Sequence, residues 1–236
     1  MFLKRTLLAI LIILLTCVSA LWAGDSAVFA DLGFSQDGRT FMFGQHGVLS
    51  PSLKPWAELY IVDVASNRFV QDGRVSFTEN TPIRAMQDGS GILQRLLSNS
   101  STLIGRYGIN LQNKGLPLYI SRDEVLPARG ETIEFRDFIN RRSYTARLVP
   151  TITGSGQNVS SKFHIELSAR NLDSGQTFRN YPLVGTPDHI RRGISQYNFK
   201  RVIIDETGSS IIFVIEMRRT AENGHDIRYM VEAVRL

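Results

Sequence analysis

The residue types best suited to binding are concentrated in residues 186–193 (TPDHIRRG). Asp188 supplies an acid, His189 an imidazole, and Arg191 and Arg192 two guanidinium groups. The segment is predicted to be a loop, and loops carry functional residues more often than strands do. Because arginine pairs bind carboxylates or phosphates bidentately, these four residues form a candidate binding site. The alternative is a solvated connection with local ion pairs. Two other adjacent arginine pairs make the signal less specific, Arg141-Arg142 and Arg218-Arg219.

Motifs for nucleophilic catalysis, phosphate binding and metal binding are missing from the sequence. There is no Gly-x-Ser-x-Gly turn, no glycine-rich phosphate loop and no His-Glu-x-x-His pair. The one cysteine, Cys17, excludes a disulfide framework, a multi-cysteine zinc site and an iron–sulfur cluster. We therefore expect no cofactor and no metal, and the sequence favours a protein that is not an enzyme.

Two arrangements of titratable residues have both a chemical and a structural interpretation. Asp63 and Glu232 occupy equivalent positions in a weak repeat, and paired carboxylates would suit glycoside hydrolysis. Acids at strand ends are, however, more often solvated or paired with arginine. His164 and Glu166 share one face of a predicted strand, which fits a metal site or a solvent-facing polar stripe. In both cases we favour the structural interpretation.

Strands must position most of these residues, because apolar and β-branched residues alternate or cluster along most of the chain. Residues 163–169 alternate strictly, which is typical of a half-buried strand. Glycine-containing turns such as Asp37-Gly38 separate the apolar runs. The clearest predicted strands are residues 41–43, 59–64, 144–149, 163–169, 201–204, 211–215 and 229–234.

One amphipathic helix interrupts the strands. Ile92, Leu93, Leu96 and Leu97 begin an apolar stripe at helical spacing, which predicts a helix over residues 91–107. Such a stripe is expected to cover one face or edge of a sheet. The sequence therefore predicts a mainly β fold: a two-layer β-rich domain with one amphipathic helix, forming a single domain over residues 24–236.

A weak repeat gives an alternative fold. Residues 34–63 and 204–232 both show the order strand, glycine-containing turn, strand, long loop, strand. This spacing recurs in β-propeller blades, and residues 34–38 resemble the blade turn of TolB-type propellers. Because the middle of the chain does not repeat, a small or partial β-propeller is the alternative to the two-layer domain.

Residues 1–23 have the order of an export signal. A basic pair precedes an apolar run, and small residues follow it. Cleavage after Ala20 and cleavage after Ala23 both fit this pattern. Two other interpretations stay open, which are an uncleaved membrane anchor and a lipoprotein modified at Cys17.

The charge of the exported part excludes one class of partner. Without the two basic residues of the leader, 25 Lys and Arg face 22 Asp and Glu, which gives a net charge of +3. A charge this small does not indicate a nucleic-acid-binding protein. The remaining candidates are an envelope protein, a peptide or a glycan, with membrane contact only through a retained or lipidated N-terminal segment.

The chain also resembles DUF2259, a family of predicted secreted bacterial proteins of unknown function. The residues that carry the resemblance are 29–38 (FADLGFSQDG), 41–44 (FMFG), 57–64 (AELYIVDV), 213–216 (FVIE) and 226–232 (DIRYMVE). The resemblance implies export from a bacterial cell, and it implies no activity and no catalytic residue.

Together these observations predict a secreted or periplasmic protein with a cleaved signal peptide. We expect a non-enzymatic module that binds a partner in the bacterial envelope. The alternative is a hydrolase of cell-envelope material that uses carboxylates on loops. A pocket holding two acids would favour the hydrolase, and an open sheet edge would favour the binding module.

Overall fold

Antiparallel strands account for most of the chain. The computed structural model describes residues 25–84, 87–121, 130–221 and 224–236. The predicted leader, its cleavage positions and Cys17 lie outside the described residues. The elements are β1 (Val28–Phe34), β2 (Thr40–Leu49), β3 (Lys54–Asp63), β4 (Arg68–Thr78), α1 (Ser90–Asn99), α2 (Ser101–Arg106), β5 (Leu116–Ile120), β6 (Glu131–Asp137), β7 (Arg142–Thr153), β8 (Ser160–Asn171), β9 (Thr177–Val184), β10 (Arg191–Arg192), β11 (Ile194–Ile204), β12 (Ser210–Ala221) and β13 (Gly224–Arg235).

The strands form three antiparallel sheets. Sheet I has the order β1-β2-β3-β4. Sheet II has the order β10-β8-β7-β6, and β9 also pairs with β8. Sheet III has the order β13-β12-β11-β5. The prediction of a mainly β fold is therefore confirmed.

Sheet III packs against both other sheets. Val202 and Phe213 point into a core shared with sheet II. Ile203, Ile212 and Val214 point to the opposite side, into a core shared with sheet I. Because successive strand residues face opposite ways, an unbroken apolar run such as β12 must be covered on both faces. This arrangement adds a third sheet to the two layers expected from the sequence.

Two short helices cover the outer face of sheet I. Ile92 and Leu96 of α1 pack against Met42 and Leu59, which are buried on that face. The predicted amphipathic helix is confirmed, but it divides at Ser100, whose hydroxyl donates to the carbonyl of Leu96 at 2.8 Å. A serine that bonds back to the preceding turn commonly bends a helix, which accounts for the division.

The two halves of the sequence repeat form corresponding three-stranded meanders, β1–β3 and β11–β13. Their first turns lie against each other, since the Ser210 hydroxyl donates to the Gly38 carbonyl at 3.0 Å. Gly38 has a φ of 64°, and a side chain there would collide with the buried Asp205 carboxylate. The likeness of these hairpins to propeller blades stays a prediction.

The first described residues are tied to the start of β13. Ile227 donates its amide to the Asp25 carbonyl at 2.8 Å, and the Ala27 amide donates to the Ile227 carbonyl at 3.1 Å. The Arg228 guanidinium lies 4.2 Å from the centre of the Trp56 ring and also pairs with the Asp25 carboxylate. The chain therefore enters the fold at this end of sheet III.

We expect Phe213→Ala to lower the free energy of unfolding by about 3–5 kcal/mol, because the ring is fully buried between Phe135 and Phe199 and its loss leaves a cavity. Phe138→Ala is the matched control, since that ring is 70% exposed. Urea unfolding followed by tryptophan fluorescence measures both. Equal losses in the two variants would contradict the two-sided core.

Candidate functional site

Three of the four predicted binding residues are exposed at the surface. Asp188 and His189 lie in the loop between β9 and β10, and Arg192 lies in β10. The Asp188 side chain is 97% exposed, and its Oδ1 lies 3.7 Å from the Nζ of Lys162. His189 and Arg192 are also exposed. Partial desolvation of the imidazole and the nearby Arg191 cation both lower the pKa of His189. These side chains are solvated, and their role as a binding site stays a prediction.

Arg191 differs from its neighbours because it is built into the fold. Its side chain is 9% exposed, and its Nη2 donates to Glu232 Oε1 at 3.3 Å. Its Nη1 donates to the His189 carbonyl at 3.1 Å. The guanidinium also lies 4.7 Å from the centre of the Phe163 ring. Arg191 is therefore held on three sides by the protein itself.

Glu232 joins all three sheets. It lies on β13 of sheet III, is 1% exposed, and accepts hydrogen bonds from Asn67 after β3 and from Arg191 and Thr186 beside sheet II. The Asn67 Oδ1 in turn accepts the Ala233 amide at 2.7 Å. Burial raises the pKa of Glu232, against the lowering effect of Asn67 and Arg191. We call Glu232, Asn67, Thr186 and Arg191 the Glu232 knot.

The hydrogen bonds of the Glu232 knot indicate a structural role for this carboxylate. Both carboxylate oxygens have donors within the protein, so neither is available to a substrate. Asp63, which the sequence repeat makes equivalent to Glu232, accepts the amide and the hydroxyl of Ser66 at 2.8 and 2.6 Å. The two acids therefore have separate partners.

The outer face of sheet II is the polar stripe that the alternation indicates. Phe163, Ile165 and Leu167 are buried on the inner face of β8. His164 and Glu166 point outward, with Nε2 and Oε1 3.9 Å apart. Arg147 lies 3.5 Å from the same carboxylate. These contacts are those of a solvated ion-pair surface.

A groove opens at the end of the core between sheets II and III, with a volume of about 490 Å³. We call it the arginine groove. Its lining includes Asn140, Arg142, Tyr144, Phe178, Arg179, Tyr181 and the turn of residues 207–209.

The two guanidinium groups of the arginine groove have no acidic partner among the described residues. Arg142 donates to the Gly208 carbonyl at 3.3 Å and lies 5.6 Å from the centre of the Phe178 ring. Arg179 lies 4.8 Å from the centre of the Tyr181 ring. Both cations are positioned by aromatic rings and a carbonyl, so their charge is not neutralised locally.

Tyr144 forms part of the buried side of the arginine groove. Its side chain is 2% exposed, and its hydroxyl is buried. Burial raises the pKa of Tyr144, although the neighbouring Arg142 opposes the change through hydrogen bonding and through its charge, so the hydroxyl keeps its proton.

These groups select for a ligand with a negative charge. The two guanidinium groups are donors, and they match the acceptor oxygens of a carboxylate or a phosphate. The Phe178 ring is 54% exposed and offers an apolar surface beside the cations. The arginine groove is therefore chemically equipped to bind an anion attached to an apolar group.

Two further cavities lie on sheet II. One, of about 790 Å³, is lined by Gly130, Thr132 and residues 147–152. The other, of about 350 Å³, crosses the outer face from Thr132 to Pro182. Among the side chains that line these three cavities, Glu166 is the one acid. None of the three holds the pair of carboxylates that glycoside hydrolysis requires.

Comparison with protein families gives a match over most of the chain. The model of the family DUF2259, which is described as a predicted secreted protein, matches residues 42–235. The chain belongs to this family. The comparisons with curated proteins and with solved structures found no match. None of the described helices has the length and apolar composition needed to cross a bilayer.

Sequence reasoning did not identify the arginine groove as a site. Its residues come from distant parts of the chain, around positions 142, 169, 179, 208 and 236. The Arg141-Arg142 pair was a visible signal, but the two side chains separate. Arg141 pairs with the Asp173 carboxylate, and Arg142 turns into the groove.

Asp31 is a half-buried acid outside both sites. Its Oδ1 is buried without a hydrogen-bond partner among the described residues, and Lys114 donates to its backbone carbonyl at 2.8 Å. Burial raises the pKa of Asp31 to about 6, although the charges of Lys114 and Arg201 act in the opposite direction. Ionisation of the Asp31 carboxyl group therefore destabilises the folded state.

We expect Glu232→Ala to destabilise the protein by about 3–5 kcal/mol, because it leaves Arg191 buried without its acid. Glu166→Ala is the matched control, since its ion pairs are solvated and should contribute less than about 1 kcal/mol. Thermal unfolding compares the two. Similar losses would show that the Glu232 knot does not hold the sheets together.

Asp31 should make stability depend on pH. Its pKa of about 6 in the folded state exceeds 3.8, so the folded state holds the proton more tightly, and the free energy of unfolding falls as pH rises from about 4 to 6. Asp31→Asn should remove this component and stabilise the protein at pH 7 by on the order of 2 kcal/mol. Urea unfolding at several pH values measures it, with the exposed Asp188→Asn as control. Parallel curves for wild type and Asp31→Asn would contradict the assignment.

Proposed function

We propose that this protein is an exported binding module of the bacterial periplasm, and that its arginine groove holds an anionic group of an envelope protein, peptide or glycan. The observation that carries the proposal is the placement of Arg142 and Arg179, without an acidic partner among the described residues, beside the exposed ring of Phe178. The family match supports secretion.

The position of the arginine groove suits a binding site that faces away from the N-terminal end. The chain enters the fold beside Ile227, whereas Leu236 lines the groove. The two positions are nine steps apart along β13 and the residue that follows it, which corresponds to about 30 Å at about 3.3 Å per residue. The groove would therefore be accessible whether the leader is cleaved after Ala20 or Ala23, or retained.

Binding fits the groove better than hydrolysis does. A hydrolase that uses carboxylates needs two acids that converge on one bond. No Asp, Glu or His side chain is among the residues that line the arginine groove. The groove would hold an anion in place, and its side chains include no carboxylate or imidazole to accept a proton from water.

Benzoate is a suitable probe because it combines a carboxylate with a ring that would lie against Phe178. We expect benzoate to shift the NMR signals of the Arg142 and Arg179 side chains in a saturable manner. Arg179→Ala and Arg142→Ala should each weaken this binding at least about tenfold, which is the loss of one charge-assisted hydrogen bond.

Two controls make the test specific. Benzamide has the same shape without the charge and should not bind. Arg136→Ala removes an exposed arginine from the same sheet, outside the groove, and should bind benzoate as the wild type does. Benzoate binding that survives both groove variants, or equal binding of benzamide, would overturn the proposal.

A further inference from the structure

Strand β9 is an open edge beside the arginine groove. It pairs with β8 on one side, and within the described residues no strand pairs with its other side. Its residues from Thr177 to Asn180 are exposed. An exposed edge with unpaired amides and carbonyls is a template for an additional strand.

The direction of β9 determines which end of an added strand would reach the groove. Phe178 and Arg179, near the start of β9, line the arginine groove. Val184, at the other end, precedes Gly185, which lies against Glu232 in the knot. A chain that pairs antiparallel with β9 therefore runs toward the groove, and its C-terminus arrives beside Arg179 and Arg142.

Cavities lie on both faces of β9. Arg179, which pairs with the buried Ala169, borders the groove on the inner side, and Asn180 and Pro182 border the cavity of about 350 Å³ on the outer face. Phe178 also lines the groove because the pairing of β9 with β8 is irregular between Thr177 and Arg179. Side chains of a strand alternate between the two faces of its sheet. An added strand would thus have space for its side chains on both sides.

Pro182 limits the length of the pairing. Proline has no amide to donate, and it is typical of edge strands that resist unrestricted pairing. The edge available to a ligand therefore runs from Thr177 to Tyr181, which fits a peptide end of about five residues.

We propose that sheet II binds the C-terminal end of an extended peptide, which pairs antiparallel with β9 and places its terminal carboxylate between Arg142 and Arg179. The inference rests on the proposed function of the groove, and it adds the class of ligand. The two guanidinium groups supply charge complementarity to the carboxylate, because neither has an acidic partner among the described residues.

The test uses the acetylated pentapeptide Thr-Val-Thr-Val-Leu with a free C-terminal carboxylate, and its C-terminal amide, against the full exported chain. We expect the acid to bind at least tenfold more tightly than the amide and than benzoate. Arg179→Ala should remove the preference for the acid, and Arg136→Ala should preserve it. Hydrogen exchange should slow, when the acid is bound, for those amides between Phe178 and Tyr181 that point away from β8.

N-methylation of the peptide tests strand pairing directly. Methylating one alternate set of amides should abolish binding, and methylating the other set should preserve it, because only one set faces β9. Equal binding of acid and amide peptides would overturn the inference, as would equal tolerance of both methylated sets. If benzoate binds in an arginine-dependent manner and the peptide gains nothing over it, the peptide inference fails while the anion groove stands. If neither binds, both proposals fail.

Discussion

The burial of β12 on both faces is the constraint on which the rest of the structure depends. Residues 211–215 are all fully buried, and each large apolar side chain contributes about 1.5–3 kcal/mol when it is removed from water. A strand of this composition is stable only between two covering layers. Sheets I and II must therefore both pack on sheet III, and the helices then cover the outer face of sheet I.

Polar groups that lie at the margins of such a core must find partners within the protein. Glu232 follows the apolar part of β13, where water is excluded, so its carboxylate requires donors from neighbouring layers. Asn67, Thr186 and Arg191 provide them, and the loop after β9 is held in place as a result. The cluster at residues 186–193 thus contributes its most buried arginine to the architecture.

Sheet II carries the arginine groove and the open edge for which we propose a binding role. Its inner face packs on sheet III, while its outer face and the edge of β9 face solvent. The arginine groove forms where the inner core ends, so two cations stand at a boundary between buried aromatic rings and water. Charge at such a boundary interacts strongly with a ligand because solvent screens it only in part.

The sequence by itself determined the mainly β fold, the amphipathic stripe of residues 92–104, the polar outer face of β8 and the resemblance to a family of predicted secreted proteins. These follow from periodicity and from ordered motifs, which are local properties of the chain. Only the tertiary structure decided that β12 is covered twice, that Arg191 pairs with Glu232 41 positions away, and that Arg142 and Arg179 share a groove. Such contacts depend on how strands from distant parts of the chain are ordered and stacked. No local pattern of residue types encodes that order.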